Sequence, residues 1–447
     1  MRKVFTTVVL FLLFITLYAG EFRIVATTDL HGNLRNLAAL APAIRQAQGD
    51  IIVDAGDLTG GNLLAELDGG RSMIQALNML NYHFRVPGNH DFDVPFNDFV
   101  ALLRNFKGTT LGADWKWGSE RGVLCKVVHK GKFQVGVIGM TESALDRRHL
   151  PVKGAPVTVP WEKVMASALK ELRKAKVNCI VLIWHQGINP SRFSAQQIAR
   201  FFPETDLVIG GHTHQENAGL RNKRTLFVQP GAHGSSAALV KIFFNDKTLK
   251  VERMESALLR GEIQKSAPDL VALNKRAVKP FYKTIYRKIC RKGDLNSRNF
   301  PGLGAYAICC AGKTRSAVFV ANTPEPSVAQ GNLFKDLFRL MPYRNTLCTV
   351  ELTREELRHL LDDLERNNRK YKRIMGVYGF RWSPGSRHRK GVLEAPEKIS
   401  VTVNSYLMTA SPVLKKILPD TKRWKALHIV ERDAVQHYLE GRLHRKP

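Results

Sequence analysis

Seven side chains with oxygen or nitrogen donors, Asp29, His31, Asp57, Asn89, His185, His212 and His214, fall in five short motifs. The motifs read Asp29-Leu30-His31, Gly56-Asp57, Gly88-Asn89-His90-Asp91, His185-Gln186-Gly187 and Gly211-His212-Thr213-His214. Carboxylates and imidazoles crowded together repel one another or lose solvation, and divalent cations resolve both problems. A mixed N/O donor set without Cys suits Mn, Zn, Fe or Co over Ca. Seven donors exceed what one tetrahedral ion needs, which predicts two ions sharing a bridging carboxylate. His90 and Asp93 stand beside this set without belonging to it. They read as an imidazole and its orienting carboxylate, suited to general acid or oxyanion work.

One Asp-x-His motif alone is weak, because chance produces it often. The shared position of all five is what carries weight. Each follows a short β-prone run: Phe22–Thr27, Ile51–Val53, Phe84–Val86, Cys179–Trp184 and Leu207–Ile209. Helical patterns lie between them, at Leu34–Gln48, Met73–Leu80 and Val164–Lys174. Apolar strands alternating with helices predict an α/β layer architecture with a buried sheet. Ligands in such sheets bind beyond the carboxyl ends of the strands, where all five motifs would stand.

The chain has 447 residues and a formal net charge of +29. That length predicts two or three domains, and the composition excludes a disordered polymer or a multi-span membrane protein. The charge is uneven: residues 21–220 carry net +3 and residues 221–447 net +24. Arg2 and Lys3, the apolar run Val4–Leu17 and the small residues Ala19 and Gly20 have the layout of a secretory signal. Residues 1–20 are therefore read as an export signal, placing the protein in the periplasm or outside the cell. Export permits disulfides, and Cys290, Cys309, Cys310 and Cys348 could supply one, though buried free thiols fit their spacing equally.

In this order the five motifs resemble those of the calcineurin-like metallophosphoesterases, and their layout is similar to the secreted 5′-nucleotidases, including UDP-sugar hydrolases and cyclic-nucleotide phosphodiesterases. The resemblance implies a four-layer α/β/β/α catalytic domain and a smaller α+β C-terminal domain. It implies that Asp29, His31 and His214 hold one metal, that Asn89, His185 and His212 hold the other, and that Asp57 bridges. His90 would stabilise phosphoryl charge or assist the leaving group, oriented by Asp93. Two divalent ions, drawn from Mn, Zn, Co or Mg, would activate a bridging water for in-line attack on a phosphate ester. The expected division is a catalytic domain over 21–250, a linker helix over 251–290 and a substrate domain over 291–447.

The second half resembles the family in outline only. Met341-Pro342-Tyr343-Arg344-Asn345 resembles the nucleotidase Leu-Pro-Phe-Gly-Asn block. Val350–Leu361 is similar to the following strand and helix, Val401–Leu407 to the final strand and Ile429–Leu439 to the last helix. The family's Asn-Gly-Gly-Ile-Arg is replaced by Asn322-Thr323-Pro324-Glu325-Pro326, and its late Gly-Gly-Asp-Gly motif by Met408-Thr409-Ala410-Ser411. Arg344 and Arg381 are candidates to replace the lost phosphate-binding Arg, and Phe380, Trp382 and Tyr406 are candidate stacking rings. The expected partner is a small phosphate ester, first of all a nucleotide, with no stable nucleic-acid partner and no membrane beyond an uncleaved signal anchor. Basic runs at 367–373 and 387–390 keep open a phosphodiesterase or nuclease. A non-catalytic metal-dependent binding protein is the third reading.

Overall fold

The structure is a computed structural model that describes residues 20–141, 156–187, 201–222, 224–384 and 392–441. All of the expected signal but Gly20, and the basic run 387–390, lie outside these residues. Two six-stranded sheets build the first half. The first runs in the order Val251–Leu259, Ala237–Phe244, Gly20–Thr27, Ile51–Asp54, Phe84–Arg85 and Thr109–Thr110. The second runs Asn217–Asn222, Thr225–Gln229, Leu207–Gly210, Cys179–Trp184, Phe133–Met140 and Cys125–Lys130.

Strand alternation sends side chains to opposite faces, and here both faces are apolar. Ile24, Ala26 and Val53 meet Val135, Val181 and Ile209 between the sheets. Val25 and Ile52 face outward onto the helices Leu34–Gln46 and Arg71–Met79. Ile180, Leu182 and Val208 face the helix Trp161–Lys174 on the other side. The result is the four-layer α/β/β/α stack expected. All five ligand-bearing segments are strands in parallel pairings, so their carboxyl ends face one rim.

The catalytic sheet extends past residue 250. Val251–Leu259 pairs antiparallel with Ala237–Phe244, so it is an edge strand rather than the start of a linker. The helix Pro268–Val278 then packs Leu270 and Leu273 onto the first domain's outer core.

The C-terminal domain has a five-stranded mixed sheet in the order Arg373–Tyr378, Ser316–Asn322, Lys398–Asn404, Thr346–Thr353, Trp424–Val430. The strand Ser316–Asn322 alternates: Ala317, Phe319 and Ala321 pack toward the helices Phe300–Gly312 and Glu431–Leu439, while Val318 and Val320 pack toward Arg354–Tyr371. The last strand is Trp424–Val430, so the segment 401–407 supplies the preceding strand and the start of a short helix. All six cysteines are free thiols. No helix among the described residues is long and apolar enough to cross a membrane.

Candidate dinuclear metal centre

The first sheet contributes Asp29, His31, Asp57 and Asn89, and the second contributes His185, His212 and His214, each just past a strand end. The loops must turn at once to bring these side chains inward. Asp29, His31, Asp57, His212 and His214 all adopt left-handed backbone, with φ between 46° and 74°. Such conformations cost about 1–3 kcal/mol per residue and persist where the surrounding structure holds them.

Backbone hydrogen bonds hold them here. Asp29 N–H donates to Gly56 O and His31 N–H to Asp57 O, both at 2.8 Å. Buried Asp91 ties two loops together, accepting from Thr59 N–H at 3.0 Å and Gly88 N–H at 2.9 Å. Gly88 is required for close approach, because a Cβ there would lie 2.2 Å from Asp57 Oδ1 and 2.7 Å from His185 Nε2.

Two donor groups result, Asp29–His31–His214 and Asp57–His185–His212. In the first, His31 Nε2 and His214 Nε2 are 3.0 Å apart, and Asp29 Oδ1 is 3.4 Å from His214 Nε2. Nitrogens about 2.0–2.1 Å from a common cation would lie ~2.9–3.4 Å apart at octahedral to tetrahedral angles. In the second, His185 Nε2 is 3.2 Å from Asp57 Oδ2, and His212 Nδ1 is 2.9 Å from Asn89 Oδ1. Asp57 Oδ2 also lies 3.7 Å from His31 Nε2, which puts one carboxylate oxygen between the groups.

The imidazoles are prepared as ligands. His185 Nδ1 lies 2.7 Å from Ala55 O and His31 Nδ1 lies 3.2 Å from Gly60 O, so both rings direct Nε2 into the centre. His185 Nε2 is fully buried and makes no hydrogen bond. Its nearest polar neighbour is the Asp57 carboxylate at 3.2 Å, and a cation held between the two would satisfy both. The residues present therefore fit a pair of divalent ions.

The electrostatics agree. Burial acts to raise both carboxyls, but the surrounding imidazoles outweigh it, holding Asp29 below and Asp57 well below the usual carboxylate range. Burial lowers His31 to about 4, so it is neutral at pH 7. Burial also acts to lower His185, yet the Asp57 and Asp29 carboxylates prevail and lift it to about 10. A cation held there would take the place of that proton, since a ligating imidazole must be neutral.

His90 stands at the edge of the centre. Its Nδ1 is 2.6 Å from Asp93 Oδ2, and its backbone N–H donates to Asp57 Oδ1 at 2.8 Å. Beyond it the two domains enclose cavities of about 290 and 190 Å³, both lined by His90, Asn345 and Tyr406. Arg344 lines the larger cavity, with Nη1 3.1 Å from Glu66 Oε1 of the catalytic domain.

Phe380 and Arg381 are not brought to the cleft. Phe380 and Trp382 pack against the core on the Arg354–Tyr371 side of the sheet. Arg381 sits on a two-stranded hairpin, 88% exposed, beside Glu394. Arg373 lines the cleft in their place, its Nη1 donating to Tyr406 Oη at 2.8 Å. Arg373 ends the first basic run and pairs in register with Asn322, where the family's Arg motif has been replaced. His233 was also missed: its ring centroid is 5.1 Å from that of His31 and 5.2 Å from that of His214. It follows the strand Thr225–Gln229 in a Gly-rich turn, the same signal that marked the other histidines.

Comparison with known proteins agrees with this geometry. Residues 22–216 match the calcineurin-like phosphoesterase family. The chain is 21% identical over 459 residues to a trifunctional nucleotide phosphoesterase of Bacillus subtilis, covering 86% of this chain and 31% of that protein. It is 28% identical over 199 residues to the 5′-nucleotidase of Rattus norvegicus, covering 41% and 32%. The chain thus spans about a third of the length of these relatives. In fold it is similar to the 5′-nucleotidase precursor of Thermus thermophilus, with a TM-score of 0.69 at 16% identity, covering 94% and 96%. Residues 22–216 thus match the calcineurin-like phosphoesterase family, in a chain whose two-domain fold is similar to that of a 5′-nucleotidase precursor.

Proposed function

We propose that this protein is an exported dinuclear-metal phosphohydrolase that acts on a small phosphate ester, with nucleotides as the first candidates. The observation that carries this reading is the pair of donor groups meeting at Asp57 Oδ2, 3.7 Å from His31 Nε2 and 3.2 Å from the buried His185 Nε2. Asp29, His31 and His214 would hold one ion, Asn89, His185 and His212 the other, and Asp57 both. When bound, two divalent cations supply Lewis acidity to the phosphoryl oxygens and lower the pKa of water.

The chain's own residues do the rest. Asp93 accepts the Nδ1 proton of His90 and so orients the ring; Nε2, once it too carries a proton, donates it to the phosphoryl or leaving oxygen. Arg373, Tyr406 and Asn345 form the wall that the leaving group meets. Export is proposed from the basic-apolar-small order of residues 1–20.

The test is hydrolysis of nucleoside mono-, di-, tri- and cyclic phosphates, UDP-sugars and sugar phosphates, each with Mn, Zn, Co and Mg. Release of phosphate that ends on chelation and returns with metal is expected. Cleavage confined to nucleic acid, with affinity falling steeply in salt, would replace this reading with a nuclease. Metal binding without turnover on any ester would leave a binding protein.

A further inference from the structure

His90 is held by more than its carboxylate. The ring of Tyr343, from the C-terminal domain, stacks on the His90 imidazole with centroids 4.3 Å apart and planes 17° from parallel. Offset stacking at this separation restricts both rings. Room for it comes from Gly61, in left-handed backbone at φ +71°, where a Cβ would lie 3.3 Å from Tyr343 Cε1.

The short segment that carries Tyr343 is fixed to the catalytic domain on both sides. Arg432, fully buried, donates to Met341 O at 2.9 Å and pairs with Glu66. Arg344 pairs with the same Glu66 oxygen at 3.1 Å. Glu66 belongs to the short helix Leu63–Leu67 of the catalytic domain, so one carboxylate joins the two domains. His90 lines both cavities of the cleft while Tyr343 covers its ring face.

We propose that Tyr343 is a positioning residue for His90, and that the Glu66–Arg344–Arg432 cluster is the clamp that seats it. Asp93 fixes the proton and in-plane direction of the imidazole. Tyr343 fixes its tilt, which the carboxylate alone leaves free. The second domain thereby takes part in the chemical step as well as in holding substrate. This inference rests on the hydrolase reading above.

The experiment compares wild type, Tyr343→Ala, Tyr343→Phe and Glu66→Gln on an alkyl phosphate and on p-nitrophenyl phosphate, with bound metal measured by elemental analysis. Displacing a catalytic group by about an ångström costs up to ~100-fold in rate. Tyr343→Ala is expected to lose about 10–100-fold in kcat on the alkyl ester. The loss should be smaller for the better leaving group, with KM and metal content unchanged. Tyr343→Phe keeps the ring and is expected to restore most of kcat. Glu66→Gln is expected to lose kcat in the same pattern, to a lesser extent.

A rise in kcat in Tyr343→Ala would show the ring to be a plug and overturn the inference. So would an effect confined to KM, or failure of the Phe variant to rescue. Any of these in an active wild type overturns this inference alone. A wild type inactive on every ester overturns it together with the hydrolase reading.

Discussion

His90 is separated from the donor groups by role although Asn89 precedes it directly. Removing its ring leaves Asn89 and the backbone N–H to Asp57 in place. His90→Ala is therefore expected to lower kcat by about 10²–10⁴-fold while the protein keeps two equivalents of metal. Kinetics with elemental analysis checks this, and loss of an equivalent would move His90 into the ligand set. Asp57→Asn should behave in the opposite way, losing metal first, because its Oδ2 serves both groups. The seven proposed donors stand out in the sequence because each lies within a few residues of its own strand end. Phe380 and Arg381 misled because residue type near a family motif says nothing about which face of the sheet a side chain takes. Trp382 follows the same rule, and only Tyr406 of the three rings reaches the cleft.

Turns and helix ends are where the elements create this site, and two of them make predictions. Gly88→Ala would push a methyl group into Asp57 and His185. The expected result is lost metal affinity with little change in the far-UV spectrum, checked by titration with a divalent ion. Unchanged affinity would show that the loop can shift without moving the ligands. Glu431, at the start of the last helix, is buried, with Oε2 accepting from Asn404 at 2.8 Å and Oε1 unpaired. Burial lifts its carboxyl from the ordinary 4.5 to about 8. Between these values the folded state binds more protons than the unfolded one, so stability falls as pH rises through this window. Glu431→Gln should match wild type near pH 4.5 and exceed its Tm by several degrees near pH 8, given ~2–4 °C per kcal/mol. Thermal melts across this range check it, and a constant gap would contradict it. The strand Val251–Leu259 was missed as an element because its sequence, Val-Glu-Arg-Met-Glu-Ser-Ala-Leu-Leu, is an edge with a mostly exposed face. Its apolar signal is correspondingly weak.

Across the whole molecule, the +29 charge first suggests a polyanion partner. Yet the catalytic half is nearly balanced, and several basic residues of the second half are held in ion pairs. Arg344 and Arg432 meet Glu66, Arg423 meets Glu356, and Arg358 meets Asp362. Arg373 is a basic residue that the fold brings to the cleft beside Tyr406. The four-layer domain was legible because strand and helix periods are local. The interdomain contacts were not: Glu66 and Arg432 lie 366 positions apart, and nothing in either neighbourhood announces the pairing. Tyr343 was visible as part of a motif but its stacking on His90 was not, since that depends on how the two domains meet.

The central claim is that one carboxylate, Asp57, joins two divalent cations into a single hydrolytic centre. Its most direct test is metal stoichiometry measured alongside phosphate release as metal is titrated into chelated protein. The account predicts that activity follows occupancy of two sites per chain, and that Asp57→Asn abolishes both together. Full hydrolysis at one equivalent, or in protein free of metal, would contradict it.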